Sequence, residues 1–311
     1  MRRIALSALV ALATLPATAT AVAGPPKGFV ERQVPFEGHR LLVHDYPGRG
    51  AARRQPPLVL MHGFPDSVRL YDQLIPKLRG RRIVAFDFLG WGDSDKPRGH
   101  TYTFDEQERE LDAVVRSLRL GGIVPVAHDA SGPPAINWSL GHRDQVAGLV
   151  LLNTFYSAMP TTNAPEAIRL FSDPAYNALT EAIGQNEEVN RWLFHWQVGK
   201  FMSNPVTRKR VLRVLWRQFR AAQPAFASLN RDLVPAVAAA TARTGELNGF
   251  DRPVRIVFGA RDPYLNPGMA QSFHELFPTS DLFLLPARHY VQVDAPARVA
   301  EVIQSMPLAG A

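Results

Sequence analysis

The stretch PVAHDASGPP, from Pro125 to Pro134, places an aspartate between a hydrophobic segment and a segment rich in small residues. A sharp turn from a strand into a helix can present a reactive side chain, and its tight backbone needs small residues two positions before and after that side chain. Around Asp129 those positions hold Ala127 and Ser131, and Gly132 follows. The pattern predicts a nucleophile elbow with Asp129 at its tip, with an ordinary turn aspartate as the alternative.

Ser131 is the other nucleophilic side chain in this stretch. If Ser131 stood at the tip of the elbow, Asp129 would occupy a position that requires a small residue. The carboxylate of Asp129 is therefore the better candidate for the nucleophile.

Hydrophobic strand patterns alternate with helix patterns on both sides of the elbow, which is the order of an α/β fold with a mostly parallel twisted sheet and helices on both faces. The segment Phe29–Gly48 alternates around a turn and predicts two antiparallel strands. The segment Ser67–Gly80 predicts a helix closed by its final glycine. Parallel strands are predicted in PPLVLMHGF, RRIVAFDFLG, IVPVAHD, VAGLVLLNTF, RPVRIVFGARD and SDLFLLPARH.

The strand patterns stop between about Tyr156 and Phe250, where the sequence is typical of helices interrupted by SDP and SNP. An insertion of this kind after the sixth strand predicts a helical cap over the carboxyl edge of the sheet, where open parallel sheets bind ligands. The predicted organisation is a signal peptide at 1–23, a first core part at 24–155, the cap at 156–250 and a second core part at 251–311.

The N-terminus has the plan of a secretory signal peptide. MRR supplies positive charge, the run Ile4–Leu15 is apolar, and ATAVAG offers small residues for cleavage after Ala21 or Ala23. The apolar run has only 12 residues, too few to span a bilayer, which disfavours the alternative of a membrane anchor. The sequence thus predicts an exported protein, periplasmic or secreted, with no stable membrane anchor after cleavage.

Composition limits the chemistry further. The chain of 311 residues is 46% hydrophobic and 20% charged, as expected for a folded protein with a sizeable core. It has no cysteine, which excludes disulfides, thiolate nucleophiles and cysteine metal sites. The formal charge is +7, and much of it lies in Thr207–Arg220, which patterns as an amphipathic helix with a solvated arginine face. One basic face is a weak signal, so no nucleic-acid partner is predicted.

Two more polar residues follow predicted strands. Asp262 in FGARDPYLNP and His289 in LLPARHYVQVDAP each come just after an apolar run. With Asp129 they give the chain order nucleophile, acid and histidine, which is the order of hydrolases built on this type of sheet. We therefore predict a triad of these three residues; a turn aspartate and a loop histidine are the alternative.

The HGFP segment, His62–Pro65, follows another predicted strand. Chemistry at the acyl carbon needs two N–H donors directed at a developing oxyanion. The backbone N–H of Ala130, the residue after the nucleophile, is one predicted donor, and that of Phe64 is the other. His62 and His128 are expected to have structural roles.

These motifs resemble the α/β-hydrolase fold family and, within it, the branch of epoxide hydrolases and haloalkane dehalogenases. The segments that carry the resemblance are HGFPDS, FDFLGWGDSDKP, HDASG, FGARDPYLNP and RHYVQVDAP. They cover nearly the whole chain after the signal peptide except the cap, and the aspartate at the elbow is specific for the branch. The resemblance implies an α/β-hydrolase fold with the cap inserted after strand 6, and a hydrolase that needs no cofactor and no metal.

The chemistry of an aspartate agrees with this resemblance. A carboxylate is an anion at neutral pH and can displace a leaving group from a saturated carbon without a base acting first. The resulting ester on Asp129 is hydrolysed by a water that His289, oriented by Asp262, deprotonates. The expected reactants are a small hydrophobic organic substrate and water, and the sequence leaves the oligomeric state open.

Three subfamilies of the branch share this machinery and differ in how they hold the leaving group. Epoxide hydrolases resemble the chain in HGFP and use two cap tyrosines as proton donors; Tyr176 and Tyr156 are the candidates, and the usual second donor late in the cap is absent. Haloalkane dehalogenases hold the halide with a tryptophan after the nucleophile and an asparagine after HG, where this chain has alanine and phenylalanine. Fluoroacetate-type dehalogenases resemble it in the cap pair His195-Trp196 but have an arginine after the nucleophile.

Epoxide hydrolase-like hydrolysis is therefore the expected function, with haloalkane or haloacid dehalogenation as the alternative. A non-catalytic small-ligand receptor on the same fold is the alternative of another class, and the intact triad disfavours it. An ordinary carboxylester hydrolase is disfavoured because an acyl–aspartate anhydride is a poor intermediate. The predicted pocket residues are Tyr156, Tyr176, His195 and Trp196.

Overall fold

One mixed sheet organises the part of the chain that the structure describes. The computed structural model describes residues 26–78 and 80–308, so the predicted signal peptide lies outside the described residues. The strands are β1 (Val30–Phe36), β2 (His39–Tyr46), β3 (Leu58–Met61), β4 (Ile83–Phe86), β5 (Val124–Asp129), β6 (Leu149–Thr154), β7 (Val254–Gly259) and β8 (Ser280–Leu285). They pair in the order β1-β2-β4-β3-β5-β6-β7-β8. The β1–β2 and β2–β4 pairs are antiparallel and the others are parallel, which confirms the predicted sheet.

The central strands are buried on both faces. Every residue of β3, β4, β6 and β7 is buried, because helices cover both faces of a parallel sheet and leave neither in water. These strands are the continuous apolar runs of the sequence. Because they are parallel, their carboxyl ends meet at one edge of the sheet, and that edge carries the residues described below.

The helices lie on both faces of the sheet and in the cap. They are α1 (Phe104–Ser117), α2 (Gly132–Gly141), α3 (Glu166–Ser172), α4 (Asn177–Gln185), α5 (Glu187–Gly199), α6 (Pro205–Ala242), α7 (Pro267–Leu276), α8 (Val291–Asp294) and α9 (Pro296–Gln304). α1 begins after Thr103, whose hydroxyl accepts a hydrogen bond from Glu106 N at 3.1 Å and caps the helix. Its apolar side, with Leu111, Val114 and Val115, is buried.

The helix predicted over Ser67–Gly80 is wrong in its local geometry. The segment forms two short 3₁₀ turns, Val68–Tyr71 and Ile75–Lys77. Pro76 has no N–H to donate, and its ring would clash with the preceding turn of an α-helix. The apolar residues that suggested a helix, such as Leu70 and Leu74, are nevertheless buried.

The chain between β6 and β7 is described in full and forms the four helices α3–α6 with no strand among them. α6 is 38 residues long. Its buried side includes Leu212, Leu215, Trp216 and Phe219, while its arginine side faces solvent, which confirms the amphipathic pattern of this segment. Within the described ranges no helix, α6 included, is apolar over a length that crosses a membrane.

Polar contacts hold α6 against the core near the start of α1. Tyr102 N donates to the Ser228 hydroxyl at 3.1 Å, and that hydroxyl lies 3.1 Å from the Tyr102 carbonyl oxygen. Phe104 N donates to the Asp232 carboxylate at 3.0 Å. One apolar cluster then continues from the sheet through Phe64 into the cap. These contacts fix the cap above the carboxyl edge of the sheet.

Candidate active site

Asp129 ends β5 in a sharp turn. Its φ is +50°, a left-handed conformation that is strained for a residue with a side chain. The turn continues through Gly132, where a Cβ atom would collide with the Thr154 side chain and the Phe155 carbonyl oxygen. The Thr154 hydroxyl donates to the Asp129 carbonyl oxygen at 2.5 Å. The backbone thus has the geometry of the predicted elbow, with Asp129 at its tip.

The Ser131 hydroxyl is committed to the backbone of the turn. It accepts a hydrogen bond from His128 N at 2.8 Å and lies 3.0 Å from the Met61 carbonyl oxygen. The side chain is fully buried. Ser131 therefore braces the elbow and joins β5 to β3, and the carboxylate of Asp129 is the group presented at the sheet edge.

Backbone N–H groups lie at this carboxylate. Phe64 N donates to Asp129 Oδ2 at 2.8 Å, and the N–H of Ala130 is close enough to lower the pKa of the carboxyl group. A Cβ atom at Gly63 would lie 2.6 Å from Asp129 Oδ2 and 2.8 Å from Ala130 N, so only glycine fits there. The structure thus brings both predicted donors to the carboxylate of Asp129.

His289 lies between two carboxylates. Its Nδ1 is 2.8 Å from Asp262 Oδ2, and its Nε2 is 3.7 Å from Asp129 Oδ1. Because a carboxylate accepts a proton donor, the contact with Asp262 places the N–H at Nδ1 and leaves Nε2 free to accept. The three residues of the predicted triad therefore meet at one point.

Asp262 is itself fixed by donors that the sequence analysis missed. Asn153 Nδ2 donates to Asp262 Oδ2 at 2.8 Å, and Tyr264 N donates to Oδ1 at 2.9 Å. Asn153 has φ of +31°, and its Oδ1 accepts from Gly259 N at 2.8 Å. The available signal was a single asparagine in VLLNTF, at the end of an otherwise apolar strand.

The burial of these groups shifts their protonation. Burial raises the pKa of Asp129, and His289 and the N–H groups of Phe64 and Ala130 oppose that shift. Burial alone would lower the pKa of His289, but the neighbouring Asp262 and Asp129 outweigh it and the pKa is raised above its ordinary value. A proton acceptor and a carboxylate are thus held side by side, as hydrolysis of an ester on Asp129 requires.

A second buried polar cluster lies behind the triad. The Tyr290 hydroxyl donates to Asp66 Oδ1 at 2.5 Å, and His128 Nε2 is 3.3 Å from the His289 carbonyl oxygen. Burial raises the pKa of Asp66 well above its ordinary value. His62 accepts from Phe88 N at 3.2 Å, as expected of a structural histidine.

A cavity lies between this edge and the cap, where open parallel sheets bind ligands. Its lining is Phe64, Pro65, Asp129, Pro165, Ala167, Ile168, Phe171, Asn190, Leu193, Phe194, Gln197, Val198, Phe201, Phe219, Phe226 and His289. Asp129 and His289 are the ionisable residues of this lining, and the cap supplies mostly apolar walls. This lining suits a small hydrophobic group in contact with the Asp129 carboxylate.

Two amide side chains are the cap's polar contribution to the cavity. Gln197 is already engaged, because its Nε2 donates to the Tyr264 hydroxyl at 3.2 Å and its Oε1 accepts from Ala167 N at 3.0 Å. Asn190 is only 4% exposed and lines the cavity. Within the described part of the chain its side chain has no hydrogen-bond partner, so its N–H groups are available to a ligand.

The four predicted pocket residues lie elsewhere. Tyr156 is fully buried and donates its hydroxyl to Asn137 Oδ1 at 2.9 Å. Tyr176 is 47% exposed on the outside of the cap. His195 lines a separate cleft between α5 and α6, and Trp196 is 39% exposed. The structure therefore does not bring these four side chains to the cavity.

The geometry of α5 explains this difference. The cavity is lined by positions 190, 193, 194, 197 and 198, which are spaced as one face of a helix. His195 and Trp196 fall on the opposite face and point away from the cavity. The predicted pocket pair was therefore on the outer face of the helix, and Asn190 was missed because nothing in the sequence marks it among polar cap residues.

No group of three or more histidine or acidic side chains in the described ranges is placed to hold a metal ion.

The chain is similar to known proteins in both sequence and structure. A family model described as alpha/beta hydrolase fold matches residues 56–296. Haloalkane dehalogenase 2 of Mycobacterium bovis is 29% identical over 282 residues, which cover 86% of this chain and 92% of that protein. A haloalkane dehalogenase of Sphingobium indicum is 26% identical over 292 residues, covering 89% and 95%. The crystal structure of an alpha/beta hydrolase fold protein from Burkholderia ambifaria has a TM-score of 0.74 at 25% identity, covering 88% of this chain and 96% of that one.

Proposed function

Because the chain belongs to the alpha/beta hydrolase fold family and is a hydrolase, we propose that it hydrolyses the carbon–halogen bond of small alkyl halides through an ester on Asp129. The observation that carries this proposal is the cavity above Asp129. Its walls are apolar, it offers one unpartnered amide at Asn190, and no tyrosine is among the described residues that line it.

The first step is displacement at carbon. Phe64 N holds Asp129 Oδ2, so Oδ1 is the oxygen that attacks. An electron pair of Oδ1 forms the new bond to carbon while the carbon–halogen bond breaks, and the halide leaves with its own electron pair. Oδ2 then becomes the carbonyl oxygen of the ester and already accepts from Phe64 N, while the N–H of Ala130 is beside the same carboxylate.

The second step is hydrolysis of that ester. His289 Nε2 faces Asp129 and takes a proton from a water molecule, and the resulting hydroxide adds to the ester carbonyl carbon. The negative charge develops on Oδ2, where the two N–H groups stabilise it. Asp262 stabilises the charged imidazole ring of His289 until the intermediate collapses. In the collapse the imidazole gives its proton to the departing oxygen, so that the alcohol leaves, and the second proton of the water passes to solvent, which restores the Asp129 carboxylate.

The leaving group distinguishes the two main candidates. A halide leaves as a stable anion and needs hydrogen-bond donors but no proton. An epoxide oxygen leaves as an alkoxide and needs an acid, such as a tyrosine hydroxyl, to protonate it. The amide of Asn190 donates hydrogen bonds but is too weak an acid to give up a proton, so it suits a halide. Asn190 is therefore the proposed donor to the departing halide.

Epoxide opening is the second candidate, and the HGFP segment is the feature that favours it. Haloacids are less favoured, because the described lining holds no arginine or lysine to neutralise a substrate carboxylate. A ligand receptor is less favoured because a receptor does not need the contacts that hold His289 beside Asp129.

A product assay tests the proposal. We would incubate the purified protein separately with bromobutane, a phenyl-substituted epoxide and chloroacetate, then measure free halide, alcohol and diol. The expected result is bromide and butanol in equal amounts, with the Asp129→Ala variant inactive. Diol from the epoxide with no bromide from bromobutane would contradict the proposal in favour of the second candidate. Inactivity on all three would contradict both.

A further inference from the structure

The outer side of the cap exposes two tryptophans that serve neither the core nor the cavity. Trp192 and Trp196 of α5 are 63% and 39% exposed, and their rings stack with centroids 6.0 Å apart and 14° between planes. The buried side of α5, with Asn190, Phe194 and Gln197, is on the opposite face. Large exposed aromatic side chains in a contiguous group are typical of surfaces that bind something.

Unpaired cations lie beside these rings. Four cations line the cleft between α5 and α6, namely Arg191, Arg208, Lys209 and Arg213. The rest of that lining is His195, Pro205, Leu212 and Trp216. That lining contains no carboxylate, and within the described ranges none of the four cations has an ion pair. We call Trp192, Trp196 and these four cations the cap corner.

Nearby charges show that this lack of ion pairs is local. Arg220, further along α6, pairs with Glu187 at 3.1 Å. Lys200 pairs with Glu166 at 3.0 Å, and its Nζ lies 3.3 Å from the centre of the Trp196 ring. The positive charge of the cap corner is therefore not neutralised by the acidic residues that this region does contain.

We propose that the cap corner binds the surface of a bilayer that contains anionic phospholipids. Clustered lysine and arginine side chains are attracted to anionic headgroups. Tryptophan rings, apolar with one polar N–H, lie preferentially at the boundary between headgroups and acyl chains. α6 lies along the cap with its apolar side in the core and its cations outward, so binding needs no unfolding and no spanning helix.

This binding is peripheral and reversible. It differs from an anchor because only side chains enter the headgroup region. It is also independent of the reaction proposed for the cavity, since the cap corner shares no residue with the lining around Asp129. A second copy of this chain is the other occupant that the experiment distinguishes.

Vesicle sedimentation tests the proposal directly. We would incubate the full chain with vesicles of phosphatidylcholine alone and with vesicles that also contain phosphatidylglycerol, at low and at molar salt. We expect binding only to the anionic vesicles, and release at molar salt because screening weakens the attraction. The Arg208→Gln/Arg213→Gln variant should bind about 25-fold more weakly, since each surface cation contributes about fivefold. The Trp192→Ser/Trp196→Ser variant should lose at least about tenfold.

Matched variants elsewhere serve as controls. Arg53→Gln/Arg54→Gln removes two exposed cations from a 3₁₀ turn preceding β3, and Val234→Ser removes an exposed apolar side chain from another part of α6. Both should bind like the wild type. All substitutions are at the surface, and circular dichroism checks that the fold is kept. The apolar segment at residues 4–15 is common to all variants, so it cannot cause a difference between them.

Three results would overturn the proposal. The first is equal binding to neutral and anionic vesicles. The second is binding that the Arg53→Gln/Arg54→Gln control weakens as much as the Arg208→Gln/Arg213→Gln variant does. The third is no binding to anionic vesicles; a dimer that the tryptophan substitutions dissociate would then assign the cap corner to a second copy of the chain.

Discussion

The carboxyl edge of the sheet and the inner wall of the cap face the same cavity but are built differently. At the edge, each functional side chain is held by hydrogen bonds: Asp129 by Phe64 N, and His289 by Asp262, which Asn153 holds in turn. The wall of the cap is mostly apolar side chains and adds the unpartnered amide of Asn190. This difference indicates that the residues of the edge carry out the bond cleavage, while the residues of the cap select the substrate that is placed against Asp129.

This division also predicts how each region responds to substitution. A residue of the edge acts as part of a connected unit, so its loss should affect every substrate alike. A residue of the cap wall touches only part of a substrate, so its loss should depend on the leaving group.

Removal of the nucleophile should have the largest effect. Asp129→Ala leaves no atom to form the ester, so turnover of every substrate should fall by at least about 10⁴-fold. Halide release measured over several hours, with circular dichroism to confirm the fold, is the check. Residual turnover within tenfold of the wild type would show that another group, such as a water activated by His289, attacks the substrate directly.

The acid of the triad should be nearly as important. Asp262→Asn keeps the shape of the side chain but removes the charge that stabilises the His289 ring, and we expect a loss of about 10²- to 10⁴-fold in the hydrolytic step. Rapid mixing separates the two steps, because ester formation should be much less affected and the ester should accumulate. Equal slowing of both steps would mean that Asp262 mainly supports the fold of this edge.

A cap-wall substitution should have a smaller effect that depends on the leaving group. Asn190→Ala removes the proposed halide donor and should slow ester formation about 10- to 100-fold, the range for a hydrogen bond to a charged group. Asn190→Leu keeps the volume and should slow it equally, which separates the lost donor from an enlarged cavity. Tyr176→Phe should have no effect, because Tyr176 is on the outside of the cap; a tenfold loss there would restore the epoxide mechanism of the sequence analysis.

The pH dependence should show the smallest effect. Asp129 is one of the charges that raise the pKa of His289, and esterification removes that charge. His289 must be neutral to accept a proton, so turnover should rise with pH through its pKa. That pKa should be lower in the ester than in the resting enzyme.

Nuclear magnetic resonance of the imidazole gives the pKa of His289 in the resting enzyme and in Asp129→Asn, where we expect it to fall. The acid limb of kcat, with ester hydrolysis limiting, should lie at a lower pH than the resting titration. An unchanged titration in Asp129→Asn would show that the charge of Asp129 has little influence on the base.

The sequence predicted the edge better than the cap, for physical reasons. A tight elbow tolerates only small residues at fixed positions, so Asp129 and its neighbours are recognisable from spacing. The apolar strands fix where Asp262 and His289 emerge. Asn153 escaped notice because its role depends on a strained φ and a contact across strands, and spacing along the chain encodes neither.

The sequence predicted that the cap is helical, but it did not predict which helix faces line the cavity. Because both sides of α5 contain aromatic residues, its helical periodicity does not indicate which side packs against the core. His195 and Trp196 were expected in the pocket, and the structure turns them outward while Asn190 and Gln197 face in. The orientation depends on how α5 packs against α3 and α6, and the residue pattern of α5 alone does not encode that packing.

The most direct test of the central claim is a trapped ester on Asp129. In the His289→Phe variant the carboxylate can still attack, but no base activates the water, so the ester should accumulate. Intact mass after incubation with bromobutane should increase by one butyl group in place of a proton, and peptide mapping should place that group on Asp129 with one bromide released per chain. An unmodified mass from a variant that still binds the substrate, or a butyl group on any other residue, would contradict the account.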